Sequence, residues 1–245
     1  PAPTNKNAMA AAPCPTQSGT GTWPRPDSTK SAKGITANPN TFVYNGTGNQ
    51  TIRAIPYYNL EVNKPSNTLT AAAAITVNND FVVTAGTYAT GSFVTTINNN
   101  LTVNGGTFSV TGTGSVVGNA SGTFSMAAGG TFSTVRTTAP WFPTNYTSIS
   151  LDNNSTFTYA STTAFTLPLL STLPITQYPI LGIAGSLVKT LQEATTVYGI
   201  SIGGTATLAD NGYQITGNAS GPMTMAASTI LNLGSAGTAT VFPTG

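Results

Sequence analysis

The chain has 245 residues, of which 39% are hydrophobic, 6% are charged and none is histidine. An ordinary soluble domain carries about 25% charged residues, so here Thr, Ser, Asn and Gly must cover the surface that Lys and Glu usually cover. A net charge of +2 without a cluster of Lys or Arg argues against nucleic acid or an anionic membrane as partner, and the lack of imidazole removes Ser-His-Asp and Cys-His catalysis and every histidine-ligated metal site.

Residues 1–40 are the first element. They are rich in Pro, Ala, Gly and Thr and open on Pro1-Ala2-Pro3-Thr4, which reads as a mature or processed start. Cys14 is the single cysteine, so no intrachain disulfide can form. A segment of this composition has no core of its own and is expected to be an extended arm lying on its own module or on a neighbouring subunit. Trp23-Pro24-Arg25-Pro26 is its candidate assembly contact.

From residue 41 onward helical periodicity is nearly absent. A short cell recurs instead, apolar then Ser, Thr or Asn then apolar: Leu101-Thr102-Val103, Phe108-Ser109-Val110, Phe124-Ser125-Met126, Ile149-Ser150-Leu151, Phe157-Thr158-Tyr159, Ile200-Ser201-Ile202, Met223-Thr224-Met225 and Leu231-Asn232-Leu233. Period-two alternation sends the apolar members to one face of a strand and the hydroxyls to the other. Gly and Asn clusters between the cells supply turns. No apolar run approaches the roughly 18 residues of a membrane helix, so no membrane insertion is expected.

The cells group into rungs. Asn78 to Tyr88 aligns with Asn98 to Phe108 at an offset of 20 residues, and Gly130-Thr131-Phe132 continues the series 24 residues further on. A unit this short cannot bury its own apolar face, whereas stacked units can. The expected fold is therefore all-β, a β-solenoid or parallel β-helix of stacked rungs preceded by the arm.

A longer repeat lies above the rungs. Gly118-Asn119-Ala120-Ser121-Gly122 with Met126-Ala127-Ala128 recurs as Gly217-Asn218-Ala219-Ser220-Gly221 with Met225-Ala226-Ala227. Thr41-Phe42-Val43-Tyr44 is similar to Thr156-Phe157-Thr158-Tyr159, and Tyr57-x-x-Leu60-x-Val62 to Tyr178-x-x-Leu181-x-Ile183. Phe142-Pro143-Thr144 recurs as Phe242-Pro243-Thr244. Two tandem solenoid modules follow, 41–144 and 145–245, the first holding one extra rung within 95–117. Phe242 and Pro243, at the end of the second, are candidate assembly residues.

The run Asn40 to Ile52, then Tyr57-Tyr58-Asn59-Leu60, then the Asn-x-Leu-Thr-Val-x-Gly-Gly-Thr rung resembles repeats in large secreted surface proteins of Bacteroidetes-type bacteria. The resemblance implies solenoid modules at the cell surface, used in adhesion or matrix, and no catalytic residue to carry over.

Chemistry-bearing groups are sparse. The acids are Asp27, Glu61, Asp80, Asp152, Glu193 and Asp210, read as solvated turn caps rather than a glycan-cleaving pair. Asn78-Asn79-Asp80 lacks the spaced acidic ligands of a Ca²⁺ loop, and no Lys or helix follows Gly105-Gly106 or Gly203-Gly204 as a phosphate loop needs. No cofactor, metal or catalytic residue is expected. Tyr57, Tyr58 and Trp141 are candidate platforms for stacking on a glycan. The chain is thus read as a self-associating subunit of an extracellular filament or surface assembly, joined through solenoid ends and the arm. A monomeric adhesin stalk or glycan-binding module is the alternative. An ice-binding solenoid ranks lower because rungs of 20 and 24 residues are expected to spoil a regular Thr face, and a polysaccharide-degrading β-helix ranks last.

Overall fold

The computed structural model of the chain describes residues 39–234. Trp23, Pro24, Arg25 and Pro26 of the arm, and the terminal Phe242 and Pro243, lie outside the described residues. Residues 39–234 form a β-solenoid of about 9 turns, in which strand pairs with strand in parallel. The one helical piece among them is a 3₁₀ turn at Leu170–Thr172.

Each turn visits successive faces, and like residues stack from turn to turn. On the first face Phe42 pairs with Leu60, Leu60 with Phe81, Phe81 with Leu101, Leu101 with Phe124, and Phe124 with Ile149. On the second, Leu69, Tyr88, Phe108, Phe132, Phe157, Leu181, Ile200 and Met223 follow one another on adjacent strands. The third face opens with Ile75–Val77, Val94–Ile97 and Ser115–Val117. A separate sheet of Phe165–Thr166, Ser186–Thr190, Thr205–Ala209 and Ile230–Asn232 serves the later turns. The alternation read from sequence is realised: in Thr107–Val110 and Thr131–Thr134 the Phe is buried and the Thr and Ser beside it are only partly so.

The inward columns merge into one core. Its centre is aromatic: Phe108 and Phe132 stack at 5.7 Å and 9°, Phe132 and Phe157 at 5.2 Å and 21°. One corner is held by amide side chains spaced 20 residues apart. Asn79 Nδ2 donates to Asn59 Oδ1 at 2.8 Å, and Asn99 Nδ2 donates to Asn79 Oδ1 at 3.0 Å. Such a ladder satisfies each amide with the next, so the corner buries polar groups without the cost of leaving them unpaired.

Where a turn lengthens, the added residues lodge in corners and leave the faces in register. The Gly118–Gly122 motif is one such corner: Asn119 Oδ1 accepts the Ser121 N–H at 3.0 Å, and the Gly122 N–H donates to Asn119 O at 3.0 Å. Its copy repeats this, with Asn218 Oδ1 accepting the Ser220 N–H at 2.9 Å. The next insertion, 135–147, is fastened by Arg136, whose Nη1 donates to Thr113 O at 2.8 Å and whose Nη2 donates to Ala139 O at 2.8 Å.

The internal repeat is visible in three dimensions. Phe42 pairs with Leu60 and Tyr44 with Val62, as Phe157 pairs with Leu181 and Tyr159 with Ile183. In each copy the two tyrosine hydroxyls meet, Tyr44 with Tyr57 at 3.0 Å and Tyr159 with Tyr178 at 2.9 Å. From Phe42 to Phe124 the first copy takes four steps up its column, whereas from Phe157 to Met223 the second takes three. The first copy therefore holds one rung more. The copies also differ in phase, since the first occupies the first face and the second the equivalent positions of the second face. Residues 144 and 145 fall inside the continuous sheet, because Thr123–Met126 pairs with Ser148–Leu151 and Thr131–Thr134 with Thr156–Tyr159 across that point.

Close approach of turns explains Gly86. Its φ is +74°, and a Cβ there would lie 1.9 Å from Lys64 O. Gly86→Ala combines an unfavourable φ with a backbone clash, so a loss at the upper end of the about 1–3 kcal/mol typical of overpacking is expected in urea unfolding. Gly129→Ala, with φ +80° but open space around it, isolates the φ contribution and should cost distinctly less.

Candidate functional site

The outward side of the second face carries the most regular arrangement of polar groups in the described residues. Thr68, Thr87, Thr107, Thr131 and Thr156 sit one above another on five adjacent strands. Two residues along, Thr70, Ala89, Ser109, Ser133 and Thr158 form a parallel column. The reason is local: four of the five strands read hydroxyl, aromatic or Leu, hydroxyl, and period-two alternation turns the flanking residues outward while the middle one joins the core; the fifth, Thr87-Tyr88-Ala89, has the buried Ala89 in place of its second hydroxyl. Neighbouring parallel strands lie about 4.8 Å apart and residues i and i+2 about 6.6 Å apart, so the two columns form a rectangular net. No register shift interrupts it. The column ends where Ile180 and Gly182 succeed Thr156 and Thr158.

None of the nine hydroxyls in this net makes a hydrogen bond within the protein. Elsewhere hydroxyls are used internally: Ser125 Oγ donates to Thr102 Oγ1 at 3.1 Å on the first face, and Thr84 Oγ1 donates to Glu61 Oε1 at 2.8 Å. No residue of the net is charged. The expectation that unequal rungs would spoil a Thr face is overturned, because the extra residues sit in the corners and the strands themselves keep step.

Protein-family models, curated proteins and solved structures yield no match to the chain.

The aromatic residues proposed for glycan stacking are not brought together. Tyr57 is a core residue: it is buried, its ring meets Phe42 edge-on at 5.6 Å, and its hydroxyl donates to Arg53 O at 2.8 Å. A ring enclosed in this way offers no face to a sugar, which corrects its assignment as a platform. Tyr58 is partly exposed. Trp141 lies against the core with its Nε1 buried and unpartnered, so its ring too is committed inward.

Asp27 lies outside the described residues; the other acids serve local structure. Asp80 Oδ1 accepts from Asn99 Nδ2 at 2.9 Å and Asn100 Nδ2 at 3.0 Å, and Asp152 Oδ1 accepts the Asn154 N–H at 2.8 Å. Glu193 takes the Ser171 N–H at 2.8 Å and its hydroxyl at 2.9 Å. Asp210 also caps a turn, accepting the Gly212 N–H at 3.0 Å, but it is buried rather than solvated. Among the described residues no group of three acidic, Cys or His side chains converges as a metal site would need. A cavity of ≈ 370 Å³ opens where the first face stops, between Ile149, Leu151 and the crossing segment Leu173–Gln177. It contains no titratable side chain.

Sequence reading missed two buried lysines. Lys64 Nζ donates to Gly46 O at 2.5 Å and Gln50 Oε1 at 2.7 Å. Lys189 Nζ donates to Ser161 O at 2.7 Å and to Ser186 O. Burial pushes both amines below the usual lysine range. The signal for Lys64 was present in the alternation Leu60, Val62, Lys64, which places it on the inward face. Lys189 gave no such signal, because Leu187 and Val188 beside it are exposed and Leu187 adopts φ +62°. Its place is set by register, between Phe165 below and Leu208 above. Lys189 ties backbone carbonyls of a corner together, and Lys64 ties the Gly46 carbonyl to the Gln50 side-chain amide, which in both cases is a structural task.

Proposed function

We propose that this chain is a structural subunit of an extracellular bacterial assembly, lengthened by stacking of one solenoid on the next. The observation that carries this reading is the open apolar column at either end of the described stack. Met223 and Met225 continue the buried ladder of Ile200 and Ile202 yet are 40% and 44% exposed, and Phe42 at the opposite end of the stack is 38% exposed. A rung without a neighbour leaves both apolar side chains and backbone hydrogen-bonding groups unsatisfied, and a further rung in register covers both. The low charge of the chain removes the repulsion that would oppose contact between copies, and the resemblance to repeats of secreted bacterial surface proteins supports the location. A monomeric stalk is the competing reading.

Light scattering decides between them. The wild type is expected to show species well above 24.9 kDa at working concentration. The variant Met223→Lys/Met225→Lys, whose charges sit on the exposed edge, is expected to remain at the mass of one chain with an unchanged circular dichroism spectrum. A wild type that stays at 24.9 kDa would favour the stalk and remove the stacking reading.

A further inference from the structure

The geometry points to a function for the hydroxyl net that does not depend on end-to-end stacking: we propose that the outward second face binds ice. The argument starts from what the face lacks. It has no charge to attract an ionic partner, and its aromatic residues Tyr88, Phe108, Phe132 and Phe157 are all turned into the core, so it has no ring to stack on a sugar. What it presents, apart from a gap at Ala89 in the second column, is hydroxyls, each Thr adding a methyl, repeating in two directions at about 4.8 Å and about 6.6 Å, with no internal hydrogen bond competing for them.

A single hydroxyl exchanging one water for another gains little. Many hydroxyls held at fixed spacing gain together only against a partner whose own groups repeat in two dimensions. Crystalline water is such a partner and liquid water is not. Rigidity is the second requirement, because a net that had to be ordered on binding would lose the gain to entropy. The stacked rings directly beneath Thr107, Thr131 and Thr156 meet it: Phe108, Phe132 and Phe157 lie 5.7 Å and 5.2 Å apart in sequence along the column, fixing both spacing and height. The methyls fill the space between hydroxyls, so waters adjoining the face are confined to positions set by the protein.

The test measures thermal hysteresis and incorporation into a growing ice front on the full chain. Wild type is expected to depress the freezing point below the melting point and to enter the ice. Thr131→Tyr, which places a ring proud of the net at its centre, is expected to lose nearly all of the hysteresis with an unchanged circular dichroism spectrum. Ser150→Tyr, exposed on the outward first face, is expected to behave as wild type and controls for a general effect of an added ring. Thr131→Val, which keeps shape and removes the hydroxyl, should give an intermediate loss and covers the case in which Thr131→Tyr fails to fold. Wild type without hysteresis and excluded from ice would overturn the proposal, as would equal activity in Thr131→Tyr. Capture by crystalline chitin or cellulose through the same face, without hysteresis, would also overturn it. Because the same series can be run in the Met223→Lys/Met225→Lys background, which is expected to remain at the mass of one chain, failure here is distinguishable from failure to stack.

Discussion

Raising the pH above about 10 is expected to unfold the solenoid cooperatively, with buried tyrosines as the cause. Tyr57, Tyr88, Tyr146, Tyr159 and Tyr178 are all buried, and loss of solvent is the leading reason that each phenol is pushed well above its ordinary value. A group whose folded pKa is raised contributes fully below its unfolded pKa and loses that contribution as pH climbs, because the unfolded chain ionises while the folded chain does not. The unfolded value is about 10. Above it each tyrosine withdraws about 1.4 kcal/mol per pH unit, so two units cost the five together on the order of 10 kcal/mol, comparable with the whole stability of a typical domain. Lys64 and Lys189 work in the opposite sense. Their folded pKa values are lowered, so they bind fewer protons folded than unfolded, and stability rises gently as pH approaches about 10.4. The expected profile climbs slightly to near pH 10 and then collapses. Urea unfolding followed by circular dichroism across that range, together with tyrosinate absorbance, checks it. Tyrosines that titrate near pH 10 while the fold persists would contradict the burial described above.

Phe132→Ala is expected to be the most damaging single truncation in the core. Phe132 is 1% exposed and touches rings on every side: Phe108 at 5.7 Å, Phe157 at 5.2 Å, Phe124 at 5.6 Å and Phe142 at 6.4 Å. Removal of a buried phenyl costs about 3–5 kcal/mol, more where the surroundings cannot collapse, and a ring clasped by strands paired on both sides has little room to relax. The consequence in a stacked repeat is also one of cooperativity, since the turns are coupled only through neighbours. A cavity at the middle turn should separate the unfolding of the turns on either side into two transitions. Phe42→Ala, at the terminal rung and partly exposed, should shift a single transition by a smaller amount. Equal effects of the two substitutions would show that the aromatic column is not the link between turns.

Much of this architecture was legible because stacking imposes a constant sequence separation. The offset of 20 residues put Phe81 beside Leu101 and Tyr88 beside Phe108, and the structure pairs both. The extra rung in the first copy follows from a different count, the fall in offset between the two copies from Tyr57/Tyr178 to Gly118/Gly217. What counting cannot supply is where added residues go. An offset of 24 sums strand and corner without distinguishing them, so it predicts a broken Thr face where only the corner has grown. Tyr57 misled for a different reason. An aromatic residue beside Pro56 in a polar chain looks exposed, whereas the Tyr44 hydroxyl reaching it across the turn makes it part of the interior. Lys189 was hidden because its neighbours invert the usual pattern around a left-handed Leu187. Local alternation is a good guide until a single backbone dihedral changes which way the next residue faces.

The shift of phase between the two copies has a geometric consequence. One copy cannot be brought onto the other by sliding along the stacking axis; it must also be turned by one face. Any property carried by a copy, such as the paired tyrosines or the Asn-Ala-Ser-Gly corner, is thereby displayed at a different azimuth in the second. Further duplication with the same phase would wind these features around the axis as the thread of a screw, and each added copy would reach a direction its predecessor does not.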